Sequence, residues 1–493
     1  MIGTSRQRPG PWRAEVAPTL ALAWPLALTN LSQHAMTLTD AIILGWLSTE
    51  ALAAATLGAN LYWMLMAPAL GVALAAGPML AQARGRGTRR DRLSRGWIRE
   101  TRRAARSAAW AAMAMLLPAW LLLWFGGPIL RAMGQEPALA ALAGDYLRSL
   151  MWGLLPFTVF VVLRGFLAAM ARPGPALGVA LAAIGVNAAL DWVLVFGAFG
   201  WPGMGVVGAG LASSLANALM LAALLGLIAR DRVLGRFRLL GRLWRPDPGM
   251  IRQVLRIGLP ISATMLLEIG VFSAAAFALG WFGAVAVAAH AIALQTAATT
   301  FMVPMGIAQA ATARVGLHAG AGDLAAAARA GWVAIALGAG FMAAMALALV
   351  IGRDAIAWAF LDRGDPRAAA AAALGAVLLV IAGLFQLADG VQAVAAGALR
   401  GLKDTRVPML LAALGYWGLG MPIGLALAWP MGFGPSGIWI GLAAGLAVVA
   451  VLMLRRWRNL LRSLRAAVTL AEPPATGQAR VPAGALHPAH GNA

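Results

Sequence analysis

The chain has 493 residues, of which 61% are hydrophobic and only 12% charged; 39 basic against 18 acidic residues leave a net charge of +21. A soluble domain carries roughly 25% charged residues, so this chain has too few to clothe soluble domains of its total size. Its long, continuously apolar runs exclude disorder, collagen and the alternating strands of a membrane β-barrel. The fold class that remains is an all-α membrane protein, and the lack of cysteine removes disulfides, Cys metal sites and thiol chemistry.

A spanning helix needs about 20 apolar residues. After an N-terminal tail (1–16), cutting at charged clusters and Gly/Pro turns predicts twelve spans: 17–43, 51–80, 104–125, 138–163, 175–199, 205–229, 251–280, 284–313, 325–351, 368–398, 407–429 and 435–454. The first apolar run, from about Val16, is too long for a signal-peptide h-region and carries Asp40, so no cleavable signal is read there. A basic connector, 231–250, divides a first lobe (17–230) from a second (251–454). Residues 455–493 form a tail that is basic at first; its Pro-, Ala- and Gly-rich end, 471–493, is read as disordered.

The basic residues orient the spans. With the N-terminus inside, thirty-four fall in cytoplasmic segments, among them Arg84 to Arg106, Arg164 and Arg230 to Arg256. Only Arg131, Arg353, Arg363 and Arg367 fall outside, with Arg148 in the fourth span. This asymmetry predicts cytoplasmic termini and explains the positive charge without a nucleic-acid partner.

Sliding the chain by 235 residues aligns its halves. Leu44-Gly45-Trp46-Leu47 falls on Leu279-Gly280-Trp281-Phe282, Gly71 on Gly306 and Gly85 on Gly320, while Met66-Ala67-Pro68 lies one residue from Met302-Val303-Pro304. Six spans per half give both halves the same orientation, so the repeats are parallel and related by an axis along the membrane normal. Their interface is the expected place for a central cavity.

Four acids sit well inside predicted spans. In the first, after Pro25, the residues Thr29, Gln33, Met36 and Asp40 share a helical face with Thr37 beside it. In the fifth, Asn187 and Asp191 are one turn apart. In the seventh, Thr264 precedes Glu268 by one turn, and in the tenth Gln386, Asp389 and Gln392 share a face. An ionised acid at the bilayer centre costs about 2.5–3.5 kcal/mol, so four facing lipid would cost roughly 10–14 kcal/mol. Buried basic partners are too few, which leaves proton or cation binding as the resolution. Gln33, Thr37, His290, Gln295, Phe385 and Gln386 are read as cavity or proton-relay positions, with His34 undecided between relay and structural roles. Pro25 is read as a hinge, because proline removes a backbone hydrogen bond and permits bending. The motifs HExxH, GxSxG and GxxxxGK are absent, so neither an enzyme nor an ATP-driven pump is expected.

These residues resemble the multidrug and toxic compound extrusion (MATE) family. The resemblance rests on Pro25…Met36-Thr37-Leu38-Thr39-Asp40, Leu163-Arg164-Gly165-Phe166-Leu167 and Asn187-x-x-Leu190-Asp191 followed by Gly205-x-x-Gly208-Ala209. It continues through Pro260…Glu268, Ala289-His290 and Phe301-Met302-Val303-Pro304-Met305. Its most specific part is Phe385-Gln386-x-x-Asp389 with Gly397-Ala398-Leu399-Arg400-Gly401-Leu402-Lys403-Asp404-Thr405, and Tyr416-Trp417 follows. The resemblance implies cation-coupled (H⁺ or Na⁺) antiport of amphipathic, mostly cationic compounds through two six-helix lobes, in the NorM-type branch. It implies coupling-ion sites at Glu268 and Asp389 in the second lobe and at Asp40, Asn187, Asp191 and Ser213 in the first; sodium is a candidate ion at either pair of acids. Asp191 departs from the asparagine of many NorM-type members, and Phe385 stands where some have tyrosine. The expected setting is the bacterial inner membrane, as a monomer without a cofactor beyond the coupling ion. A lipid-linked saccharide flippase of the same superfamily is the alternative.

Overall fold

In the computed structural model, residues 10–89, 95–198, 200–239, 241 and 244–471 are described. The first half contains α1 (Arg13–Leu47), α2 (Thr49–Leu74), α3 (Ala76–Arg89), α4 (Arg95–Trp124), α5 (Gly126–Ala132), α6 (Pro137–Leu150), α7 (Leu154–Ala169), α8 (Gly174–Phe196) and α9 (Gly205–Arg230). The second contains α10 (Pro248–Gly280), α11 (Ala284–Gly320), α12 (Leu324–Ala359), α13 (Ala368–Gly401), α14 (Arg406–Ala413), α15 (Met421–Ala428) and α16 (Pro435–Ala471). The pairs α2/α3, α6/α7 and α14/α15 each make one crossing; the last is joined by a π-helical stretch, Leu414–Gly420. A two-residue antiparallel ribbon pairs Gly197–Ala198 with Trp201–Pro202.

The result is a two-lobe bundle of twelve membrane helices. Eleven of the described crossings are apolar enough to be recognised by hydropathy alone. The exception is α1, whose Thr29, Asn30, Ser32, Gln33, His34, Thr37, Thr39 and Asp40 dilute its apolar content. Its polarity is the mark of a helix that faces protein and cavity more than lipid.

Several helices outrun the predicted spans. A span cut at its first arginine stops at the hydrocarbon edge, but a helix continues among the head groups while its long side chains reach water. Thus α11 extends to Gly320 and α12 to Ala359. The segment from Arg455 that was expected to be tail continues α16 to Ala471, and the expected disordered end beyond it lies outside the described residues. Arg164, expected in a cytoplasmic loop, lies inside α7 and is buried. Part of the connector folds back: Phe237 is buried and packs edge-on against Trp97 and Phe166, with centroids at 5.2 and 5.1 Å. Asp247 then caps α10, accepting from the Met250 N–H at 3.2 Å.

Two cores hold the lobes, and they exchange helix halves. Leu22, Ala23 and Leu26 of α1 belong to the second-lobe core, whereas Met36, Ile43 and Leu44 further along belong to the first. Helix α10 does the reverse: Val254, Ile257 and Ile261 pack in the first-lobe core, Val271, Ala275 and Leu279 in the second. Pro25 and Pro260 stand near these crossings, 235 residues apart. Both helices remain continuous through their prolines.

The seam between lobes obeys the same repeat. A Cβ on Gly71 would meet the Ser262 backbone, and one on Gly306 would meet Ala27, the position repeat-equivalent to Ser262. Gly85 abuts Leu317, and Gly320 abuts Gln82, again a reciprocal pair under the 235-residue shift. Glycine is required at these four positions because two helix backbones are in direct contact. Reciprocal contacts of this kind are the signature of a two-fold relation between the halves.

Candidate functional site

The seam is closed at the arginine-rich ends of the helices. Arg314 of α11 donates to Glu15 of α1 through Nε (2.7 Å) and Nη2 (2.6 Å), and Thr19 also bonds Glu15, at 3.4 Å. Gln82 Nε2 donates to the Gly401 carbonyl at 2.8 Å, and Ser262 Oγ to the Pro68 carbonyl at 2.7 Å. Further in, buried Arg164 donates to Asn30 Oδ1 (2.9 Å) and Gln33 Oε1 (3.2 Å), and Gln309 reaches the same Asn30 oxygen at 3.4 Å. His34 Nε2 meets Gln295 Nε2 at 3.2 Å and Thr299 Oγ1 at 3.3 Å. Beyond this level α1 packs on α8 of its own lobe, with Trp46 and Trp192 edge to face at 6.3 Å.

In the first lobe, three helices bring together residues far apart in sequence. Asp40 of α1 faces Asn187 and Asp191 of α8 and Ser213 of α9. Ser213 Oγ donates to Asp40 Oδ2 at 2.6 Å. Asn187 and Asp191 are fully buried, one helical turn apart, and both side chains lack a well-formed hydrogen bond; Asp40 Oδ1 is in the same condition. Unpartnered buried polar atoms are rare and costly. Three carboxylate oxygens and one amide are in that condition at one point. Beside it lies a cavity lined by Gln33, Met36, Thr37 and Asp40 of α1, Tyr62, Trp63 and Met66 of α2, Tyr146, Phe157, Ser213 and Asn217. Its aromatic wall is continuous, since Trp63 stands edge-on to both Tyr62 (6.0 Å) and Phe157 (6.3 Å).

In the second lobe, Glu268 of α10 and Asp389 of α13 are neighbours, with Tyr416 of the π-helical stretch beside both. Here several of the surrounding polar groups are engaged, while Gln386 Nε2 is buried without a hydrogen-bond partner among the described residues. Tyr416 donates to Gln392 Oε1 at 2.8 Å, and Thr300 Oγ1 donates to Gln386 Oε1 at 2.7 Å. Thr264 bonds its own helix at the Pro260 carbonyl (2.9 Å). A π-helical turn widens the backbone and is often found at functional positions; this one offers Tyr416 to the acids.

The expected positions therefore divide. Asp40, Asn187, Asp191 and Ser213 converge, with Gln33 and Thr37 on the adjoining cavity, and Glu268 and Asp389 converge separately. Gln295 lies on the seam with His34. His290 and Phe385 lie in the packed second-lobe core around Trp439, each 5.6 Å from its ring, and neither nitrogen of His290 has a hydrogen-bond partner among the described residues. Phe385 is buried there. Pro25 is buried at the core crossing of α1. Sequence reasoning missed the aromatic wall of Tyr62, Trp63, Tyr146 and Phe157 and the seam network of Arg164, Asn30, Gln309, Glu15 and Arg314. Isolated aromatics in apolar helices carry no pattern, and charges were taken to mark helix ends.

Comparison with known proteins gives the family and the fold. The MatE family model matches residues 25–193 and 260–425. The chain is 49% identical over 446 residues to a probable multidrug resistance protein NorM of Mesorhizobium japonicum, covering 90% of this chain and 94% of that protein. It is 45% identical over 448 residues to the protein of that name from Brucella suis (91% and 94%). It is 40% identical over 450 residues to multidrug resistance protein NorM of Burkholderia vietnamiensis (91% and 95%). Among solved structures, the eukaryotic MATE transporter AtDTX14 superposes with a TM-score of 0.80 at 19% identity, over 93% of this chain and all of that one. The Vibrio cholerae MATE transporter VcmN in its bent form gives 0.79 at 17% identity, over 92% and 99%.

Proposed function

Because the chain belongs to the MatE family, we propose that it is a multidrug antiporter that exports amphipathic organic cations by alternating access of its two lobes, driven by H⁺ or Na⁺. The observation that carries this reading is the first-lobe cluster. Asp40 and Asp191 stand together, three of their oxygens buried without a hydrogen-bond partner among the described residues, beside a cavity walled by aromatic rings. Two carboxyls so placed repel one another unless a proton or a metal cation neutralises them. A cationic substrate would find there what it needs, aromatic faces and negative charge. Ion and substrate would thus compete for the same charge, which is the physical requirement for exchange.

Glu268 and Asp389 form a second ion site in this reading, with Tyr416 beside it. The bacterial inner membrane is the setting, with both termini cytoplasmic and the monomer as the working unit. On that orientation the seam closed by Glu15–Arg314 seals the cytoplasmic side, and the state is outward-facing. A lipid-linked saccharide flippase is disfavoured by the acidic, aromatic character of the cavity, which repels a phosphate-bearing cargo.

The test is transport by purified protein in vesicles with each ion gradient imposed alone. Accumulation of an organic cation dye should follow one outward-directed ion gradient, the ion concentrated inside the vesicle, and collapse when that gradient is dissipated. Transport indifferent to both gradients would refute the coupling.

A further inference from the structure

A second cavity, unrelated to the transport pathway, opens at the basic end of the first lobe. Arg99, Arg102, Arg103 and Arg106 occupy one face of α4 at i, i+3, i+4 and i+7. That face lines a space of about 730 Å³, whose other wall is the connector, with Arg238, Gly241 and Arg245. Six guanidinium groups therefore surround one volume. Arg103 is paired with Asp247, through Nε at 2.7 Å, and Arg106 Nη1 donates to the Gly241 carbonyl at 2.6 Å. Among the described residues, no carboxylate pairs with Arg99, Arg102, Arg238 or Arg245, and Arg102 Nε is buried with no hydrogen-bond partner. Arg238 is held at φ +44°, a conformation uncommon for a residue other than glycine.

Positive-inside topology explains arginine at this end of the molecule. It does not explain why the arginines converge: spread over the surface they would repel less and be hydrated better. A folded wall of like charges is stable when an anion completes it, and arginine's fork is matched to phosphate oxygens. The position selects the source of the phosphate. The α4 arginines lie within the helix's first twelve residues, where it enters the membrane, and Trp244, next to Arg245, is 74% exposed, as suits an aromatic ring at the lipid interface. The volume exceeds what a single phosphate ion fills.

We propose that this cavity is a binding site for the head group of an anionic phospholipid, filled best by the two-phosphate head group of a diphosphatidyl lipid. The bound lipid would tie the connector to α4 and so fix the link between the lobes.

The experiment is lipid titration of the full-length protein in detergent, followed by native mass spectrometry. Probes are cardiolipin, phosphatidylglycerol, phosphatidylcholine and, for a soluble source, pyrophosphate. Cardiolipin should bind at least tenfold more tightly than phosphatidylcholine, with phosphatidylglycerol between them and pyrophosphate at least a hundredfold weaker than cardiolipin. Arg99→Gln with Arg102→Gln should remove most of that preference, while Arg131→Gln, on an exposed residue of the opposite end, should keep it. If the double variant does not fold, Arg245→Gln on the facing wall carries the same expectation, reduced to about threefold. Unchanged selectivity in the folded variants would overturn the proposal. So would pyrophosphate binding as tightly as cardiolipin, which would assign the cavity to a soluble phosphate compound.

Discussion

The two lobes share a backbone plan but not a chemistry. The shift of 235 residues that superposes Gly71 on Gly306 and Gly85 on Gly320 puts Asp40 on Ala275 and Glu268 on Gln33. The acids are thus not copies of one ancestral site. In the first lobe, Asp40 and Asp191 keep oxygens without partners, next to a cavity. In the second, Tyr416 bonds Gln392 and Thr300 bonds Gln386, and Gln386 Nε2 is left buried without a partner among the described residues. What the repeat preserved is the seam, where glycine lets backbones touch. What diverged is the set of polar side chains. A transporter with two unlike acidic centres can separate the duties of ion binding and substrate release.

The comparison breaks most decisively at the first-lobe pair. Asp40→Asn and Asp191→Asn keep size and remove charge. Each should lower gradient-driven efflux by about 100-fold, a loss of about 2.7 kcal/mol, with protein abundance near normal. Since the two act as one unit, the double variant should resemble the worse single one. Strictly additive losses would mean independent acids, and the first-lobe site as argued would fall.

The second-lobe acids come next. Glu268→Gln and Asp389→Asn should each reduce efflux about tenfold, roughly 1.4 kcal/mol. Losses equal to those at Asp40 would make the lobes equal partners, and unaltered efflux would leave these acids structural.

Ser213→Ala sharpens the contrast further. It removes the one well-formed hydrogen bond to Asp40, so efflux should fall about fivefold, in line with about 1 kcal/mol for a hydrogen bond to a charged or polar partner. An unchanged ion concentration dependence would show that Ser213 only packs.

The smallest effect on transport is expected at Tyr416→Phe. This change strands Gln392 Oε1, a buried acceptor, at a cost to stability of about 1–3 kcal/mol. The unfolding temperature should drop measurably while efflux changes by no more than about twofold. A larger loss of efflux than of stability would promote Tyr416 from support to participant.

Much of this molecule was written in its sequence. Twelve crossings, the two lobes and the 235-residue repeat followed from apolar runs and the register of Leu-Gly-Trp, because a bilayer imposes helix length and the satisfaction of every backbone group within its own helix. The four membrane acids were legible for the same reason: charge in hydrocarbon is too costly to be accidental. Asn187 and Asp191 could be paired because i, i+4 fixes a common face. Tertiary structure alone decided that Asp40 meets them and that Glu268 meets Asp389, since partners on different helices leave no periodic trace. It also placed Arg164 and Arg314 inside helices, bonded across α1, where cutting spans at charges had put them outside. Finally it placed His290 and Phe385 in the packed core around Trp439. Hydropathy records how deep a residue lies along a helix; which way it points is settled only when neighbouring helices pack around it.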